Sequence, residues 1–297
     1  MVDYATNALH HMTRAYIRTG LLIVCQSLSD KMASTKTLEE KYHIFNKRIS
    51  SGYQGTVFSG VRKADYKPIA VKFLNKFELC PCSICGGKRP KEVCFLEKCQ
   101  GIEGVVEMYD FGSIRGHMVI FMEQPHKSKD LFEVLNSVGH FTERIAKQYF
   151  GQLVRSTHIM HQLGVVHSDL KIENVLIDTE EVKAKIIDFG NAHSISYTPR
   201  KMVATTESHP PEQFMAQGEY NPEAVAVWCL GLILYEMVHG QFAFTDSNDV
   251  VKREVAISRR ISFSLKELLC KMLSKHPSDR PKLVDILHHR WVKETDL

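Results

Sequence analysis

From position 43 onward the chain alternates apolar and polar residues in short runs, at 43–48, 56–62, 68–74, 105–111 and 117–122. A period of two sends successive side chains to opposite faces, so each run predicts a strand. The turn-rich intervals between the runs favour an antiparallel sheet. Between the third and fourth runs, 91–99 has helical character. After Pro125 the texture becomes helical, with segments at 130–137, 142–163, 224–239, 264–273 and 283–290. No internal repeat is visible. Strands first and helices later, divided by a Pro-containing connector, predict an α+β fold of two lobes. The small lobe is an antiparallel sheet plus one helix over 43–122, 123–127 is a hinge, and a larger, mainly helical lobe covers 128–293. Residues 1–40 have mixed polarity and read as a flexible extension, with one short helix at 15–28.

Composition narrows the class. The 297 residues are 44% hydrophobic and 24% charged, a balance that suits folded domains and excludes wholesale disorder. A net charge of +4 is too mild to argue for nucleic acid, which wants a concentrated basic stripe. No apolar run approaches the roughly 20 residues that span a bilayer, and Leu21 to Cys25 is too short for a signal-peptide core. The expected location is cytoplasmic, nuclear or both. Cys25, Cys94, Cys99, Cys229 and Cys270 are scattered among apolar residues and read as small buried hydrophobes. Cys80, Cys82 and Cys85 cluster before Gly86-Gly87. A hairpin turning at the two glycines is preferred to a zinc clip, because no fourth ligand stands nearby.

Three segments carry chemistry. Lys72 interrupts the otherwise apolar run Ile69-Ala70-Val71-Lys72-Phe73-Leu74, a costly place for an ammonium unless anions meet it. The segment Val165-Val166-His167-Ser168-Asp169-Leu170-Lys171-Ile172-Glu173-Asn174 puts an acid, a cation and an amide on one short stretch, and Asp188-Phe189-Gly190 follows. In this order and spacing they resemble the catalytic loop and metal-binding triplet of a protein kinase. One residue is changed: Ser168 stands where an arginine is usual.

The resemblance implies an ATP- and Mg²⁺-dependent phosphotransferase. Asp169 is expected to accept or orient the hydroxyl proton, and Lys171 to stabilise the transferring phosphoryl group. Asn174 and Asp188 are expected to hold Mg²⁺. The stretch Ile49-Ser50-Ser51-Gly52-Tyr53-Gln54-Gly55-Thr56-Val57 falls where kinases keep a glycine-rich hairpin over the phosphates. Ser50 replaces its first glycine and Gln54 its usual aromatic tip. Ile49, Ser50, Gly52, Gly55, Val57 and Ala70 are expected around the nucleotide, with Lys72 on its phosphates. The carboxylate partner of Lys72 is Glu92 or Glu97. Glu92 is preferred, because Leu96 then faces inward toward Phe189 and His167. In the hinge, Glu123 is expected to contact adenine, while the usual N–H donor falls on Pro125, which has none.

The likeness sharpens to the Pim serine/threonine kinases. It rests on that hinge proline, on Pro210-Pro211-Glu212 and on Ala226-Val227-Trp228-Cys229-Leu230-Gly231, and it covers about 43–293. Lys171 suits a serine/threonine enzyme, Thr205 aligns with the threonine that braces the Asp–Lys pair, and Arg280 is expected to pair with Glu212. Pim enzymes act on sites preceded by basic residues. Their acidic positions fall here on Asp130, Glu133, Glu173 and Glu236, and a further one on Gln241. The resemblance also implies a monomer. Without an arginine at 168, a phosphate on Ser196 or Thr198 lacks its usual receptor, so activity is expected without one. The alternative is a pseudokinase that binds ATP as a scaffold, to which Ser50, Gln54 and Ser168 lend some support. Against it, Lys72, Asp169, Lys171, Asn174 and Asp188 are all intact. A small-molecule kinase fits Pro210-Pro211-Glu212 and its Arg280 partner poorly.

Overall fold

The structure is a computed structural model that describes residues 35–80, 88–125, 127–196, 208–214, 220–258 and 260–293. The helix expected at 15–28, the Cys82-to-Gly87 turn, Thr198 and Thr205 lie outside the described residues.

The smaller lobe opens with helix α1 (Thr35–Lys41) and continues through β1 (Tyr42–Ser51), β2 (Gly55–Arg62) and β3 (Pro68–Leu74). Helix α2 (Lys91–Lys98) precedes β4 (Met108–Ile114) and β5 (His117–Glu123). The five strands form one antiparallel sheet in the order β1-β2-β3-β5-β4. Alternation sorts its side chains. Ile69, Val71, Val119 and Phe121 lie on one face with Leu38 and Tyr42. Leu74, Ile120 and Met122 lie on the other, with Val93, Phe95 and Leu96 of α2. Lys72 shares the parity of Leu74, so the pleat aims it at α2.

Two differences from the sequence pattern stand out. Residues 35–40 were expected in a flexible extension, yet α1 buries Leu38 completely under the sheet. A fully buried leucine is enough to dock a seven-residue helix that would not persist alone. The fourth strand begins at Met108 rather than near 105, because Val105 is bridged to Ile186 of the other lobe and Val106 donates to the Ile186 carbonyl at 3.0 Å. The cysteine segment has antiparallel flanks, with Leu79 bridged to Pro90 and the Cys80 N–H on the Arg89 carbonyl at 2.8 Å. Cys80 itself is buried.

The larger lobe is built on α3 (Leu131–Val138), α4 (Glu143–Gln162), α5 (Pro211–Phe214), α6 (Pro222–His239), α7 (Ser247–Lys252), α8 (Phe263–Met272), α9 (Leu283–His288) and α10 (Arg290–Lys293). One short strand, β6 (Lys129–Asp130), leads into α3, and four lie between α4 and α5: β7 (Val165–Val166), β8 (Val175–Asp178), β9 (Lys183–Ile186) and β10 (His193–Ser194). They pair as β6-β8-β9 and β7-β10. Helix α6 is the axle. Asn221 caps it through the Ala224 N–H, Pro222 starts its first turn, and Gly240 at φ +66° ends it. By length and apolarity α6 could cross a membrane, but Trp228, Leu230, Leu234 and Met237 on it are wholly enclosed by the lobe. Glu143 joins three helices, accepting from Ser262 N–H and Oγ at 2.6 Å each and from Trp291 Nε1 at 2.8 Å.

Candidate active site

The cleft between the lobes collects the charged residues singled out above. Lys72 Nζ sits 2.7 and 2.9 Å from the two Glu92 oxygens and 2.8 Å from Asp188 Oδ1. Lys72 and Glu92 are both about 95% enclosed, and the cost of that burial is met by a bidentate contact plus a second carboxylate. Burial opposes the lysine's charge, but Glu92 and then Asp188 outweigh it, so its pKa sits above the ordinary lysine value. Burial likewise pushes the Asp188 carboxyl up, and Lys72 more than reverses it, leaving Asp188 below the usual aspartate range. Glu97, the other candidate, points elsewhere and pairs with Arg89 at 2.8 Å.

Asp188 adopts φ +65°, and a 3₁₀ turn, Phe189–Asn191, follows it. Phe189 is fully buried, with its ring edge-on to His167 at 4.9 Å. His167 is held neutral, since burial pulls its pKa down. Its Nε2 faces the Ile187 carbonyl at 2.9 Å, so that nitrogen carries the proton and Nδ1 accepts the Asp169 N–H at 3.3 Å. Asp169 is gripped from several sides. Asn174 Nδ2 donates to its carbonyl at 2.8 Å and to Oδ2 at 3.0 Å, while Lys171 Nζ lies 3.3 Å from Oδ1. That grip orients the Asn174 amide and keeps its Oδ1 as an acceptor. Asp188 and Asn174 are hard oxygen donors, the set that suits Mg²⁺.

The β1–β2 hairpin covers this group. Ser50 pairs with Val57, Gly52 N–H donates to the Gly55 carbonyl at 2.9 Å, and Asn75 pins the turn from below through N–H to Gln54 O and Nδ2 to Gly52 O. A Cβ on Gly55 would stand 2.3 Å from the Phe73 carbonyl, so no other residue fits there. Ile49 is partly exposed at the hairpin's edge, and Ala70 pairs with Met122 beside the hinge. In the hinge, the Glu123 N–H is taken by the Glu107 carbonyl and the Gln124 N–H by Pro68. With Pro125 next, three successive donor positions are committed or missing. The Glu123 carboxylate is engaged by the Glu107 N–H and by Lys185.

The acidic residues gather at one corner of the larger lobe. Asp130 caps α3 by accepting the Glu133 N–H at 2.7 Å, and Glu133 also meets Lys129 at 3.2 Å. Glu173 is exposed on the turn Ile172–Asn174, against which α3 packs. Glu236 near the end of α6 is largely buried. That burial, with Glu173 adding to it, pushes its carboxyl up to about 8. Gln241 is exposed beyond the helix end.

Ser168 occupies φ +64° with its hydroxyl oxygen shielded from solvent. Close by, β10 pairs with β7, placing His193 opposite Val166, and Tyr220 donates to His193 Nε2 at 2.9 Å. Glu212 and Arg280 form a fully buried bidentate pair at 2.7 Å on each arm. Asn191 and His193 follow the Asp188 triplet too closely for spacing to signal a role, and no sequence motif marks Tyr220.

Known proteins are similar in sequence. The protein kinase domain family matches residues 43–292. The serine/threonine-protein kinase pim-2 of Danio rerio is 30% identical over 270 residues, covering 87% of each chain. The serine/threonine-protein kinase prk-2 of Caenorhabditis elegans is 30% identical over 263 residues, 87% of this chain and 60% of its own. The serine/threonine-protein kinase SRK2J of Arabidopsis thaliana is 34% identical over 190 residues, 59% of this chain and 56% of its own. Protein kinases as a family use ATP and Mg²⁺ and act on protein substrates. With a matching domain over most of its length and a pim-2 relative over 87% of it, the chain belongs to the protein kinase superfamily as a serine/threonine protein kinase that resembles the Pim enzymes.

Proposed function

We propose that this chain moves the γ-phosphate of Mg-ATP to serine or threonine hydroxyls that follow basic residues, and that it does so without a phosphate on its own activation segment. The observation that carries the transfer is the joint placement of Lys72 and Glu92 of the smaller lobe against Asp188, Asp169, Lys171 and Asn174 of the larger. Magnesium would supply charge neutralisation at the β- and γ-phosphates, held by Asp188 and Asn174. Lys72, fixed by Glu92, would position the α- and β-phosphates. Asp169 would take the hydroxyl proton onto a carboxylate that Asn174 already orients, and Lys171 beside it would meet the charge of the moving phosphoryl group.

Basic-site preference rests on Asp130, Glu133, Glu173 and Glu236 around one corner. Arginine bridging carboxylates there gains charge-assisted hydrogen bonds. Two of the four are partly committed, Asp130 as a helix cap and Glu133 to Lys129, so Glu173 and Glu236 are the stronger pair. Independence from phosphate is supported by what anchors the activation segment, residues 188–212. The β7–β10 pairing and the Tyr220–His193 hydrogen bond lie near its start, and Glu212–Arg280 fixes its end.

The test is phosphate incorporation into a serine peptide with upstream arginines, comparing the wild type with Asp169→Asn. Loss of incorporation in the variant, with nucleotide binding retained, is the expected outcome. Equal incorporation by both would remove Asp169 from the reaction. Replacing the peptide's arginines by alanine should then raise KM, and an unchanged KM would remove the acidic corner from recognition.

A further inference from the structure

Gln54, at the tip of the β1–β2 hairpin, reaches down into the cleft. Its amide packs flat on Gly190: a Cβ there would come within 2.1 Å of one end of the Gln54 amide and 2.5 Å of its carbon. In the orientation that satisfies both ends, the amide nitrogen donates to Asp188 Oδ1 at 2.6 Å and Oδ2 at 3.2 Å, and the amide oxygen accepts from Asn191 Nδ2 at 3.2 Å. Asn191 Nδ2 lies in turn 3.4 Å from Asp169 Oδ2. One side chain thus ties the hairpin tip to the proposed metal carboxylate and, through Asn191, to the proposed base.

We propose that Gln54 is a latch on the nucleotide cleft, competing with the metal–phosphate group for Asp188, an inference that rests on the ATP reading above. The competition is chemical. A divalent cation takes carboxylate lone pairs at about 2.0–2.1 Å, and an N–H donor aimed at the same two oxygens is repelled by that cation. The Gln54 amide must therefore turn away from Asp188 as the metal is bound. The free energy of the latched contact is subtracted from nucleotide affinity, as for any protein whose binding-competent form is a fraction of the whole. An aromatic tip, which has no such donor, carries no such penalty. Gln54 is also well chosen for a reversible contact, since its amide is neutral and the hairpin tip around it is exposed, so release leaves no buried charge behind.

The experiment is calorimetric binding of a non-hydrolysable Mg-ATP analogue and, separately, of adenosine to the wild type, Gln54→Ala and Gln54→Phe. The hairpin tip is exposed, so both variants should fold. Both should bind the Mg-nucleotide about tenfold more tightly than the wild type, the weight of one charge-assisted hydrogen bond. Adenosine, which needs no metal site, should bind all three alike. Mg-nucleotide affinity that is unchanged or weaker in both variants overturns the latch. Failure of all three chains to bind either ligand takes down the ATP reading itself, and the latch with it.

Discussion

At the scale of single residues, the choice between Glu92 and Glu97 shows how much one helical turn matters. The two acids lie on the same short helix, yet only Glu92 faces Lys72, while Glu97 meets Arg89. Glu92→Gln should lower kcat/KM about tenfold or more, because Lys72 loses the partner that aims it. Glu97→Gln should leave kcat/KM within about twofold. Steady-state kinetics on both variants decide it, and equal losses would mean that α2 contributes packing alone. Glu236 makes a second residue-scale prediction. Arginine binds its ionised form, which grows as pH rises through about 8. Affinity for a basic peptide should therefore increase from pH 6.5 to 8.5, with proton release on binding at the lower end. Glu236→Gln should flatten that dependence. A flat profile in the wild type would separate this carboxyl from substrate recognition.

At the scale of elements, what was legible in the sequence was what repeats locally. Lys72 following Ile69-Ala70-Val71, and the Asp169–Lys171–Asn174 run before Asp188, are defined by neighbours a few residues away. The apolar run Val119, Ile120, Phe121 and Met122 marked a strand, and the structure buries both of its faces. Elements whose position depends on distant partners were not legible. Helix α1 hides in Thr-Lys-Thr-Leu-Glu-Glu-Lys, where one leucine carries the docking and no periodicity can be counted. The start of β4 is set by the bridge from Val105 to Ile186, some eighty positions away. The reach of Gln54 into the cleft depends on how Asn75 pins the hairpin. Leu38 gives α1 a measurable weight. Leu38→Ala should destabilise the protein by about 2–4 kcal/mol and lower Tm by about 5–15 °C. A Tm within a degree of wild type would mean that α1 only rests on the sheet.

At the scale of the whole molecule, two sets of contacts bring the lobes into one working geometry. Lys72 on β3 meets Asp188 from the larger lobe, and Val105 and Val106 pair with Ile186. The activation segment is anchored separately, by β7–β10 near its start and Glu212–Arg280 at its end. Phosphatase treatment of purified protein should therefore leave phosphotransfer unchanged; abolished activity would put a phosphate back into the design. Helix α6 carries a different consequence, one that concerns the making of the protein. It is apolar on nearly every side, and part of its cover comes from later in the chain: Met272 and Leu273 pack against Gly231, and the start of α9 is tied to it by the Leu283 N–H on Glu223. At roughly 5–20 residues per second, synthesis from the end of α6 to the end of α9 takes about 3–10 seconds. For that interval the nascent chain displays a membrane-length apolar helix with one side uncovered. In cell-free synthesis, the yield of active enzyme should therefore rise when holdase chaperones are added, and an unchanged yield would mean that α4 shelters the helix well enough.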